Sequence, residues 1–152
     1  MFSKKAEYAL RATIYIAQKS SNHKKVGIDE IARSIDAPQS FTAKILQLLT
    51  RDNKIISSAR GPNGGFYITA AAKKFSIRTV LEIIREDDVF VKCVLGLKDC
   101  SETQPCPMHF QYKPIKHQLI HLFETKTIED LAEGLTSGGA FIANLSKINP
   151  SK

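Results

Sequence analysis

The 152 residues predict a mainly α fold with a small β-hairpin wing, that is, a winged helix-turn-helix followed by a long C-terminal helix. Three observations predict it. Two short amphipathic segments are split by Asp36-Ala37-Pro38. Two short β-patterned runs flank the turn-rich stretch Arg60-Gly61-Pro62-Asn63-Gly64-Gly65. A longer amphipathic stretch lies nearer the C-terminal end.

The first helix carries Ala6, Ala9, Leu10, Thr13, Ile14 and Ala17 at a period of about 3.6, with Ser3 as its expected N-cap. A polar, basic loop, Ser20 to Lys25, follows. The second helix places Ile28, Ile31, Ala32 and Ile35 on one face and stops before Pro38, because proline disfavours a helical residue ahead of it. The third helix starts near Pro38, where a missing N–H costs nothing in a first turn. Its expected buried stripe is Phe41, Ile45, Leu48 and Leu49. Ile55 to Ala59 and Phe66 to Thr69 read as the two strands of the hairpin, joined by residues that accept positive φ. Ile77, Val80, Leu81 and Ile84 mark a fourth helix. Residues 87–109 lose the helical period and gather the cysteines. A helix from about Pro114 to Glu124 follows, and Thr127-Ile128-Glu129-Asp130 reads as a capping box opening a last short helix. From Ser137 a loosely ordered tail is expected.

The formal charge of +7 favours a polyanionic partner, nucleic acid or an acidic membrane surface. No run of about 18 apolar residues exists to span a bilayer, and the N-terminus lacks the apolar core of a signal peptide. The expected location is therefore the cytoplasm, without a membrane partner. Disulfide staples are disfavoured there, so three clustered cysteines read as metal or redox chemistry. No nucleophile elbow, phosphate-binding loop or paired-carboxylate constellation supports an enzyme.

In a helix-turn-helix the second helix enters the major groove with its N-terminal residues at base edges. Here that helix opens Gln39-Ser40-Phe41-Thr42-Ala43-Lys44. Gln39 and Ser40 are short enough to reach bases, and glutamine can pair with adenine through two hydrogen bonds. Lys44 and Arg51 suit phosphates. Arg60, at the wing tip, suits a narrow minor groove, and the adjoining glycines let the backbone approach closely. The candidate DNA-contacting set is Gln39, Ser40, Thr42, Lys44, Arg51, Arg60 and Gly61, and the partner is double-stranded DNA.

Cys93, Cys100 and Cys106 fall in one loop with the spacing C-x(6)-C-x(5)-C, and His109 follows three residues after the last. Three thiolates with one imidazole suit an iron–sulfur cluster. Zinc accepts the same Cys3His set, although structural zinc sites use tighter pairs of ligands. The bland alternative is three reduced thiols packed as small hydrophobes. Lys98, Asp99, Ser101, Glu102 and Gln104 make the loop polar and speak for accessible sulfurs instead.

Four pieces together resemble the Rrf2 family of bacterial regulators over about residues 1–135: Glu7-Tyr8-Ala9-Leu10-Arg11, Phe41-Thr42-Ala43-Lys44-Ile45-Leu46, the wing and the cysteine loop. The resemblance implies a homodimeric repressor or activator, paired mainly through the helix that starts near Pro114, on a pseudo-palindromic operator. It implies four regions: a winged helix-turn-helix at 1–85, a cluster-binding loop at 86–112, a dimerisation helix region at 113–135 and a flexible tail at 136–152. It also implies that Cys93, Cys100 and Cys106 hold an iron–sulfur cluster. In the IscR-like pattern of the family, a histidine at the place of His109 completes a two-iron, two-sulfur cluster. In the NsrR-like pattern, an acidic residue from the first helix of the other subunit, here Glu7, completes a four-iron, four-sulfur cluster. Both donors are present. The resemblance implies control of operator affinity by nitric oxide, redox or iron–sulfur status. The alternatives are a cluster-free thiol switch and a zinc-stabilised DNA-binding module.

Overall fold

A computed structural model describes residues 1–143. The expected tail at 136–152 lies outside the described residues from 144 onward. Helix α1 (Lys4–Lys19) is capped by Ser3, whose hydroxyl accepts the Ala6 N–H at 3.1 Å. It buries Ala6, Ala9, Ala12, Ile16 and Ala17 in the centre of the core. These small side chains let α2 (Ile28–Ser34), α3 (Gln39–Thr50), α4 (Ile77–Ile83) and α6 (Ile128–Thr136) pack around it.

Between α2 and α3 the chain turns through Asp36 at φ 55° and enters α3 from an extended Pro38. The buried stripe of α3 is Thr42, Ile45, Leu46 and Leu49. It is rotated from the expected face, because Phe41 stays 37% exposed and sets its ring edge-on to Tyr8 at 5.4 Å.

The wing is an antiparallel pair, β1 (Ser57–Ala59) and β2 (Gly65–Tyr67), registered Ser57↔Tyr67, Ser58↔Phe66 and Ala59↔Gly65. Both strands are shorter than the β-patterned runs. Ile55, Ile56 and Ile68 lie beyond the strand ends and are fully buried, so burial rather than pairing explains those apolar residues. Val26 adds an isolated bridge to Phe66. The Ser20 hydroxyl accepts the Ile68 N–H at 3.1 Å, which ties the base of the wing to the end of α1.

After α4, a short 3-10 turn (Asp87–Phe90) leads into the cysteine loop. Helix α5 spans His109–Thr125, starting five residues earlier than expected, with Pro114 inside it. The earlier start is possible because loop carbonyls serve its first turn: His109 N–H donates to Cys106 and Tyr112 N–H to Met108, at 3.0 and 2.8 Å. Pro114 removes only one donor from a helix already nucleated. The expected capping box at Thr127 is present, with Asp130 reciprocating, and opens α6. Beyond α6 the described chain is irregular, and Ile142 packs partly buried against the core.

Candidate nucleic-acid interface and metal centre

Gln39, Ser40 and Lys44 are exposed on α3, and Arg51 is exposed at its C-terminal end. Thr42 corrects the sequence expectation. It is 1% exposed, and its hydroxyl donates to the Pro38 carbonyl at 2.9 Å, so it faces the interior and fastens the first turn.

The wing tip is fully presented. Arg60, Gly61, Pro62 and Asn63 are all exposed. Two positions admit only glycine. A Cβ on Gly64 would meet the Ala59 carbonyl oxygen at 2.3 Å. Gly65 sits at φ 141°, where a Cβ would meet the Val26 oxygen at 2.7 Å. The N–H of Gly64 closes the turn by donating to Gly61 at 2.9 Å.

The cysteine loop gathers Cys93, Cys100, Cys106 and His109. Cys93 and Cys106 are buried and Cys100 is exposed, so the polar loop shields two sulfurs rather than exposing all three. The Leu95 N–H points to Cys93 Sγ at 3.4 Å. Burial raises the Cys93 pKa, but N–H groups of Leu97, Leu95 and Gly96 outweigh it and hold the thiol below its ordinary value. Cys106 is pushed up, first by burial and then by its thiol neighbour Cys93 and the charge of Cys100.

His109 is 4% exposed. Its Nδ1 lies 3.5 Å from Cys100 Sγ. Its Nε2 lies 3.4 Å from Glu102 Oε1, yet without hydrogen-bond geometry, and is the buried side-chain nitrogen left without a partner among the described residues. Glu102 also pairs with Lys113, and this contact, ahead of that with His109, lowers its pKa. Glu7 stays on α1, where it pairs with Lys4 at 3.4 Å.

Sequence reasoning missed Glu102, Lys113 and Lys116 as parts of this site. Lys116 is buried, and its ammonium donates to the carbonyls of Val91 at 3.4 Å and Lys92 at 2.9 Å, just ahead of Cys93. The available signal was spacing. His109, Lys113 and Lys116 stand four and then three residues apart, which puts them on one helical face.

Among the described residues no three His, Cys, Asp or Glu side chains close on one point as a single metal ion requires. A cluster spreads its ligands over two or more irons and asks for less convergence. Three thiols, one with the Leu95 N–H aimed at it, and a buried imidazole whose Nδ1 faces Cys100 fit that donor set.

A helix pair with an exposed second helix, followed by a glycine-closed wing, defines a winged-helix DNA-binding regulator. The chain belongs to the Rrf2 family, whose family model, described as an iron-dependent transcriptional regulator, matches residues 2–134. A protein of Aquifex aeolicus named as an HTH-type transcriptional regulator is 31% identical over 86% of this chain and 90% of its own. IscR of Erwinia tasmaniensis is 24% identical over 84% of this chain and 75% of its own. NsrR of Bacillus licheniformis is 25% identical over 82% and 87%. Two solved structures share the fold. CymR, the global cysteine regulator of B. subtilis, superposes with a TM-score of 0.69 at 18% identity, covering 88% of this chain and 96% of that one. T. potens IscR gives 0.64 at 16% identity, covering 92% and 91%.

Proposed function

We propose that the chain is a homodimeric, cytoplasmic transcription regulator whose operator affinity is controlled by an iron–sulfur cluster on Cys93, Cys100 and Cys106, with His109 as the fourth donor. The observation that carries this reading is the buried His109 ring, which sets Nδ1 3.5 Å from Cys100 Sγ at the start of α5. When bound, a cluster supplies reactivity toward nitric oxide, oxygen or iron shortage. The protein's own residues do the rest. Cys93 follows the segment clasped by Lys116, and His109 is the first residue of α5, so the donors join the loop to that helix. Glu7 of a second subunit is the alternative fourth donor.

On DNA, Gln39 and Ser40 read base edges, Lys44 and Arg51 hold phosphates, and Arg60 with Gly61 enters the minor groove. Ile115 and Leu122, 54% and 47% exposed on α5, supply the apolar face for pairing with a second copy. The division into a DNA-binding unit at 1–85, a cluster loop at 86–112 and a pairing region at 113–135 follows from these roles. A two-fold dimer reads a pseudo-palindrome.

One observation favours a second reading. All three cysteines are free and share one loop, so oxidation could join two of them in a cluster-free switch.

Anaerobic purification with iron, sulfide and zinc analysis separates the two, on wild type beside Cys106→Ala, His109→Ala and Glu7→Ala. Iron with sulfide, lost in Cys106→Ala and in one of the other two, supports the cluster. Metal-free protein after reconstitution, with operator binding reversed by reductant alone, supports the thiol switch. Equal operator affinity of holo and apo protein at matched salt sinks cluster control.

A further inference from the structure

The Glu102 carboxylate lies between two groups of α5. It accepts from the Lys113 ammonium, and its Oε1 is 3.4 Å from His109 Nε2. The opposite nitrogen, Nδ1, faces Cys100 Sγ at 3.5 Å. Lys113 is one helical turn beyond His109, so both ends of this contact stand on the same helix while the carboxylate comes from the loop. The Phe110 ring packs edge-on against the imidazole at 4.9 Å and limits its rotation.

A carboxylate offers acceptors only. Beside it, a neutral imidazole is favoured with its hydrogen on Nε2, which leaves the Nδ1 lone pair facing the thiols. Glu102 and Lys113 are both well exposed, so this pair contributes little to folding stability. Its consequence is orientation. The 3.4 Å contact lacks hydrogen-bond geometry, so the carboxylate acts on Nε2 through its charge, on the ring nitrogen that does not ligate, where metal-binding histidines commonly meet a carboxylate.

We propose that Glu102, held by Lys113, is a positioning residue that fixes His109 as the Nε2–H tautomer and presents Nδ1 toward the cluster ligands. The inference rests on the cluster reading, but its first measurement needs no cluster. Nitrogen NMR of the reduced, metal-free chain, with His109 assigned by comparison with His109→Gln, reports the tautomer directly. Wild type is expected as Nε2–H. Glu102→Ala is expected to shift to a mixture, Lys113→Met to shift part of the way, and Glu102→Gln, which keeps an acceptor oxygen, to stay near wild type. Thermal midpoints should be unchanged in all three, which separates positioning from a structural role. Iron retention against a chelator should weaken by about 10- to 100-fold in Glu102→Ala. An Nδ1–H ring in wild type, or a Glu102→Ala spectrum identical to wild type, overturns the inference. A correct tautomer in a protein that never takes up iron and sulfide sinks the cluster reading and leaves the positioning role standing.

Discussion

Lys116 carries an ammonium into the protein, and among the described residues no carboxylate pairs with it. Two carbonyls, of Val91 and Lys92, take its hydrogens instead. Lys116→Ala removes those donors and is expected to cost about 1–3 kcal/mol, read by urea unfolding of the metal-free chain. Lys116→Met keeps the aliphatic stem and should cost less. A Lys116→Ala protein as stable as wild type would show that the carbonyls find water instead. The wing offers a second test. Gly64→Ala forces a Cβ against the backbone of residues 59–61. Such crowding costs roughly 1–3 kcal/mol. Operator affinity should fall while helical circular dichroism is retained, and undiminished binding would mean that the turn yields freely. Both residues illustrate what one sequence hides. The glycines were legible as a turn. Their crowding depends on Val26 and Ala59, which only the folded hairpin brings near. Lys116 carries no local sign of burial, because its carbonyl partners stand about 25 residues away in the chain.

At the scale of elements, local chemistry was the best guide. The Ser3 cap, the stop before Pro38 and the Thr127–Asp130 box all depend on neighbours within a few residues, and all are present. Faces and starts were harder to read. The α3 stripe contains Thr42 rather than Phe41, because threonine hides its hydroxyl on the Pro38 carbonyl while Phe41 packs sideways on Tyr8. The start of α5 depends on carbonyls in an irregular loop, which no periodicity announces. Thr127→Ala should destabilise the chain by about 1 kcal/mol. The cap also predicts a pH dependence. The Thr127 N–H, then its hydroxyl, holds Asp130 below the usual carboxylate range. Its contribution is therefore complete above the ordinary aspartate value of about 3.9 and disappears as pH falls through the lowered folded value. The stability difference between wild type and Asp130→Ala should be flat near neutrality and shrink in acid. A difference that grows on acidification contradicts this sign.

Across the whole molecule, α5 is the helix with the smallest buried share. Its buried residues are His109, Lys116 and Phe123, one every seven positions, and two of the three are polar. Phe123 joins the rings of Phe2 and Phe90 at 5.4 and 5.3 Å. Ile115 and Leu122 remain exposed. Ile115→Glu combined with Leu122→Glu should convert a dimer to monomers in sedimentation and abolish tight operator binding. A double variant that still sediments as a dimer would move the interface elsewhere. Lys44→Ala should weaken binding to all sequences alike and lower the salt slope by about 1. The winged helix was legible because its signals are local and ordered along the chain. The relation between loop and helix was not, since the helical spacing of His109, Lys113 and Lys116 shows one shared face but not its partners in an aperiodic loop. That relation has a mechanical consequence. At its C-terminal end α5 is pinned: Ile77 N–H donates to Lys126 and Ile128 N–H to Phe75, each at 3.0 Å, across the segment that leaves the wing for α4. Its other end begins at the last cysteine's carbonyl. The helix is a cantilever of 17 residues, roughly 25 Å long, rooted beside the wing's exit, so a 2 Å displacement at the cysteine end corresponds to a tilt of about 5° at the root.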